Sequence, residues 1–84
     1  MNIFPNPLNS GDMLNVAFKG IEDVVTVQLF NLSGQVVGSV TVQSTGINEQ
    51  VVQLSTSELK DGMYLCKLTS ESGQISTKRL TVLR

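Results

Sequence analysis

The stretch VVTVQLFNLSGQVVGSVTVQ, residues 24–43, decides the fold. Val24 to Asn31 sets Val25, Val27 and Leu29 on one side and Val24, Thr26, Gln28 and Phe30 on the other. Successive side chains of a strand point to opposite faces, so this period of two reads as a strand. Apolar residues occur on both sides, and both faces are expected to be partly covered. Asn31-Leu32-Ser33-Gly34 is a cluster of turn formers. Gln35 to Gln43 reads as the next strand, with Val36, Val40 and Val42 in partial register and Gly38 interrupting. A Gly inside a strand marks a bulge or a close backbone approach.

Working outward, the same punctuation recurs. Turn formers cluster at residues 5–12, 19–23, 43–46, 55–62 and 71–73. Between them the chain predicts further short strands. Ile3-Phe4 is the first, stopped by Pro5 and Pro7. Met13 to Phe18 places Leu14, Val16 and Phe18 on one face. Ile47 to Leu54 holds Val52 and Leu54 on one face. Met63 to Thr69 sets Tyr64, Cys66 and Leu68 against Met63, Leu65 and Lys67. Gln74 to Leu83 sets Lys78, Leu80 and Val82 against Thr77, Arg79, Thr81 and Leu83. Only residues 55–62 predict a helical turn, capped by Ser55 or Ser57, ended by a left-handed Gly62, and plugging Leu59 into the core. Phe4, Phe18, Phe30 and Tyr64 all fall on predicted core positions. The expectation is seven short antiparallel strands in two packed sheets, and the pattern alone does not separate a sandwich from a small barrel.

Composition agrees. Val occurs 11 times, Ile 4 and Thr 7, while Ala occurs once, at Ala17. β-Branched side chains lose χ1 freedom in a helix and suit a pleated surface, so a mainly helical chain is excluded. The 84 residues suffice for one domain. Six Lys+Arg against seven Asp+Glu give a net charge of -1, too balanced and dispersed for a nucleic-acid footprint. No apolar run approaches the roughly 20 residues of a membrane span. The opening MNIFPNPLNSGD lacks the basic and apolar regions of a signal peptide.

Catalytic chemistry has little material. There is no His, and one Cys allows no internal disulfide. The carboxylates Asp12, Glu22, Asp23, Glu49, Glu58, Asp61 and Glu71 lie in or near predicted turns, where solvation is the default. Glu22, Asp23 and Asp61 lack the close ligand spacing of an EF-hand loop, so neither metal nor cofactor is expected. Cys66, between Leu65 and Lys67, reads as a small buried hydrophobe. Tyr64 reads as a core aromatic whose hydroxyl reaches a backbone group. Lys78, Arg79 and Arg84 give the last strand a basic bias. That bias suits an edge guarded against aggregation, or a strand offered to a partner.

Four motifs occur in a fixed order. They are Phe4-Pro5-Asn6-Pro7, Leu29-Phe30-Asn31-Leu32-Ser33-Gly34, Leu59 followed by Gly62-Met63-Tyr64, and Gly73 leading to Lys78-Arg79-Leu80-Thr81-Val82. In this order and spacing the chain resembles the C-terminal sorting domain of proteins exported by the type IX secretion system of Bacteroidetes. The resemblance covers essentially the whole chain. Cys66 stands where an aliphatic residue is usual, and Leu83-Arg84 extend past the final motif.

The resemblance implies an immunoglobulin-like antiparallel β-sandwich of about seven strands, the strand number read above from the residues. It implies a single non-catalytic domain that directs a larger secreted parent through the periplasm to the surface or medium. The implied partners are the outer-membrane translocon and its shuttle and sortase components, with removal of the domain at the surface. Met1 reads as an added start residue, so the parent is expected to continue upstream. The expected recognition segment is Lys78 to Arg84. Lys78 and Arg79 would make the polar contacts, Leu80 and Val82 would fix register, and the strand's unpaired N–H and C=O groups would be offered to the partner. Gly34, Gly62 and Gly73 are expected to supply positive-φ turns. Pro5 and Pro7 are expected to hold an extended lead-in, with processing upstream of residue 3. An exposed edge also makes a homodimer an expectation. The alternative reading is an accessory β-sandwich, a spacer or carbohydrate-binding module of a secreted enzyme or adhesin. A sorting domain must end its polypeptide, whereas a spacer need not.

Overall fold

In a computed structural model covering residues 1–84, the chain forms seven strands and no helix. They are β1 (Asn2–Phe4), β2 (Leu14–Phe18), β3 (Val24–Phe30), β4 (Val36–Gln43), β5 (Gln50–Leu54), β6 (Gly62–Ser70) and β7 (Ile75–Val82). One sheet has the order β1-β2-β5 and the other β4-β3-β6-β7, with every neighbouring pair antiparallel. The sandwich, rather than the barrel, is the outcome. Three strands facing four in this order is an immunoglobulin-like arrangement. Tyr64 adds a second mark of that class. At the start of β6 its hydroxyl donates to the Lys60 carbonyl at 2.7 Å, which ties the β5–β6 corner to the strand it feeds.

The period of two sorts the core. Val25, Val27 and Leu29 of β3 are buried, as are Leu14, Val16 and Phe18 of β2, Val52 and Leu54 of β5, and Tyr64, Cys66 and Leu68 of β6. β7 contributes Leu80 and Val82, and Leu8 joins them from outside the strands. Fully burying one such aliphatic side chain contributes about 1.5–3 kcal/mol. The Gly38 expectation holds: Leu29 faces Gly38 but Phe30 faces Val36, so the register skips a residue at a bulge. Gly46 is needed for another reason. At φ 77°, a Cβ there would meet the Glu22 backbone nitrogen at 3.2 Å.

Three expectations need correction. Residues 55–62 form no helical turn; a single turn closes with the Leu59 N–H donating to the Thr56 carbonyl at 3.0 Å. Ser55 and Ser57 lie within 3.3 Å of one another instead of capping, and the buried hydroxyl is that of Thr56, which donates to the Asp12 carbonyl at 2.8 Å. Leu59 does pack against the core, half-buried. Phe4 is exposed, because a strand as short as β1 has little alternation with which to choose a face, and Phe30 is only half-buried, since it alternates away from the buried Val25, Val27 and Leu29. Residues 5–7 bend rather than run extended, and both proline peptide bonds are cis.

Candidate functional site

β7 lies at the edge of the four-stranded sheet, with β6 on one side only. Its outer edge is not bare. The bend at residues 5–7 carries the chain from β1 in one sheet to Leu8 beside Val82 in the other. Asn6 meets β7 as a neighbouring strand would. Its amide Nδ2 donates to the Arg79 carbonyl at 3.0 Å, and its Oδ1 accepts from the Thr81 N–H at 3.1 Å. The Leu8 N–H then donates to the Thr81 carbonyl at 2.8 Å, and the Leu83 N–H donates to the Leu8 carbonyl at 2.7 Å. Two residues of the P-N-P-L segment thus supply four bonds to the last strand. Asn6 holds it through its side-chain amide and Leu8 through its backbone, with the Leu8 side chain buried in the core.

These bonds also identify which residues of β7 face outward. Backbone groups on an antiparallel strand alternate between neighbours. The Arg79 and Thr81 groups point away from β6, so Ile75 and Thr77 do too. The expected unpaired edge therefore needs correction. From Arg79 to Leu83 it is occupied by the chain itself, and only Ile75, Thr77 and the Arg79 N–H remain free of that clasp.

The predicted recognition residues divide accordingly. Lys78 and Arg79 are exposed, Thr81 is half-buried, and Leu80 and Val82 are fully buried opposite Tyr64 and Gly62. Leu83 is half exposed. Arg84 turns back onto the β5–β6 loop. Its N–H donates to Asp61 Oδ1 at 2.8 Å, its Nε to the Leu59 carbonyl at 3.0 Å, and its terminal nitrogen to the Thr56 carbonyl. Arg84 is thus an anchor for the strand end, a role its position gave no local sign of.

The other motif residues are structural where their contacts are seen. Asn31 Oδ1 accepts from the backbone N–H groups of Ser33 and Gln35, each at 3.0 Å, closing the β3–β4 turn in which Gly34 has φ 88°. Gly62 and Gly73 also take positive φ, 149° and 101°, though Gly62 lies within β6 and ends no helix. Asp23 pins the turn before β7, its Oδ2 accepting from the Ser72 N–H at 2.6 Å and its Oδ1 from the Val24 N–H at 2.9 Å. Hydrogen bonding, above all from the Ser72 side chain, holds its carboxyl below the usual value, while desolvation acts in the opposite direction. Cys66 is fully buried, and burial pushes its thiol up to about 11. Such a thiol is inert at neutral pH.

A cleft of about 370 Å³ opens between the β3–β4 turn and the β5–β6 loop, lined by Asn31, Val37, Glu58, Leu59, Lys60 and Tyr64. It offers one carboxylate, Glu58, and one ammonium, Lys60, and the Tyr64 hydroxyl is already bonded to the Lys60 carbonyl. No group of three or more Cys, Asp or Glu side chains is placed to hold a metal ion. No helix is long and apolar enough to cross a membrane.

Comparison with known families settles what this arrangement belongs to. The family model described as a secretion system C-terminal sorting domain matches residues 2–82. The chain belongs to that family. Membership makes it a type IX secretion sorting domain, which implies interaction with the type IX machinery and export to the cell surface or the extracellular space. The family is one of sorting signals and not of catalysts. None of the curated proteins compared with the chain matches it.

Proposed function

We propose that this domain is a non-catalytic address label, carried by a larger parent from the periplasm across the outer membrane through the type IX translocon. The family match over residues 2–82 carries the reading. The label is read at the end of the chain, from Lys78 to Arg84, by the translocon or its shuttle component. Lys78 and Arg79 make the contacts, since both are exposed. Leu80 and Val82 act from the core by fixing the strand's position. A surface sortase then removes the domain upstream of residue 3, beside the bend that carries the chain onto β7. The spacer and sugar-binding alternative gains nothing from the aromatics: Phe18 and Tyr64 are buried, Phe30 is half-buried, and Phe4 is the one exposed aromatic.

Fusing residues 2–84 to a fluorescent protein with a periplasmic signal peptide tests the reading in a bacterium with a working type IX system. Fluorescence is expected on the surface or in the medium and is lost when the translocon is disrupted. Retention of the unaltered fusion in the periplasm would overturn the sorting role. Deleting residues 78–84 would also remove the buried Leu80 and Val82. The cleaner variant is therefore the pair Lys78→Glu and Arg79→Glu, at exposed positions, which should block export while the melting temperature stays within about 4–8 °C of the original, as two surface changes usually allow.

A further inference from the structure

The part of β7 that the chain leaves open lies beside a notch between the two sheets. Ile75 and Thr77 present outward N–H and C=O groups, and Asn6 bounds this open edge at the Arg79 carbonyl. The notch, about 150 Å³, is lined by Met1, Phe18, Lys19, Ile21, Leu68 and Ile75, with Gln74 and Ser76 completing it. A dry cavity of about this volume accepts a benzene-sized group, so the notch takes one large apolar side chain. Lys19 lines it, no carboxylate does, and farther along the strand Lys78 and Arg79 are both exposed, on its two opposite faces.

We propose that Ile75 to Arg79 is a strand-addition site for an extended segment of a partner protein, with one apolar side chain in the notch and carboxylates on either side. Main-chain bonding to Ile75 and Thr77 supplies the attachment, and the notch and the cations supply the choice. Asn6 sets the length, because an incoming strand that passes Arg79 meets its side chain. The same limit disfavours a second copy of this chain. A two-fold pair centred on Thr77 would meet the clasp one outward-facing residue away on each side. It would also gather six cations with no acid between them. The role of this site in export rests on the sorting reading; the site itself does not.

The probe is a capped hexapeptide, Glu-Val-Glu-Leu-Glu-Val, titrated into the 84-residue domain and followed by amide exchange and NMR shifts. Protection is expected at the Ile75 and Thr77 amides, with Thr81 unchanged. Thr77→Pro removes the outward donor, which an edge strand tolerates, and should weaken the peptide at least about tenfold while Thr77→Ala does not. Should Thr77→Pro fail to fold, Ile75→Glu serves instead, putting a like charge against the peptide at a largely exposed position, with the same expected loss. No protection at Ile75 and Thr77, or equal binding by the folded Pro or Glu variant, overturns the site. Protection of those amides without peptide that grows with protein concentration also overturns it, in favour of self-association. In the export fusion, an exported wild type with an equally exported Thr77→Pro refutes the site's role and leaves the sorting reading intact. A retained wild type refutes the sorting reading, and the peptide titration still decides the site.

Discussion

Leu80 and Val82 are fully buried, and the edge they share is bonded to Asn6 and Leu8. Ile75, on the same strand, is 63% exposed and has only β6 beside it. The two halves of β7 thus have the same backbone geometry and opposite support. The cause is the crossing at residues 5–8, which closes one end of the open side of the sandwich and leaves the other end as a notch. A sorting domain read at Ile75 to Arg79, as proposed, gains from this division. The inner half supplies stability, and the outer half supplies unpaired groups and charge.

The largest test of the comparison exchanges similar side chains for Ala in the two halves. Leu80→Ala leaves a cavity in the core and should cost about 2–5 kcal/mol, as other buried leucine truncations do. For a domain of this size the melting temperature should fall by at least about 10 °C. Ile75→Ala should cost no more than about 0.5 kcal/mol, as at other exposed positions. Equal losses in calorimetry would mean that the strand is supported evenly, and the division would be wrong.

A smaller effect tests the clasp itself. Asn6→Ala removes two hydrogen bonds worth about 0.5–1.5 kcal/mol each, at an exposed site where water replaces part of the loss. The expected cost is about 1–2 kcal/mol. Exchange of the Thr81 amide should accelerate while that of Thr77 keeps its rate. Asn6→Asp separates the two bonds, since a carboxylate still accepts from the Thr81 N–H but cannot donate to the Arg79 carbonyl. It should fall between Asn and Ala in stability, or below Ala if the two facing oxygens repel.

Much of this division was not legible in the sequence. Alternation placed the strands from β2 to β7 and most of their inward faces, because that pattern is local. It failed at Phe4, where the strand is too short to define a face. The P-N-P motif stood out, but its prolines drew the structural expectation, while the residue that bonds to β7 is Asn6. Its partners lie 73 and 75 positions away, and no local pattern encodes contacts at that distance. Arg84 likewise read as part of the basic recognition strand, since the acceptors of its side chain are backbone carbonyls that a sequence does not display. The exposed and buried residues of the last strand were separable beforehand; the half-closed edge was not.

The smallest effect concerns how each half of β7 is held at its own end. The clasp at Arg79–Leu83 uses only neutral amides, whereas the turn before Ile75 is pinned by the Asp23 carboxylate. Asp23 titrates below its ordinary value of 3.8, so folding favours its charged form. Its contribution is complete above that ordinary value, which the unfolded chain keeps, and disappears as pH falls through the lower folded value. Acid should therefore loosen the β6–β7 turn at 71–73 before it loosens the clasp. As pH falls below about 4, amide exchange at Ser72 and Gly73, corrected for its intrinsic pH dependence, should gain on that at Thr81. In Asp23→Asn the corrected ratio should stay flat, because the amide does not titrate, although its single oxygen accepts only one of the two bonds and leaves the turn looser at every pH. A ratio that still climbed in the Asn variant would place the acid-sensitive group elsewhere, with Glu71 in the same turn as the next residue to replace.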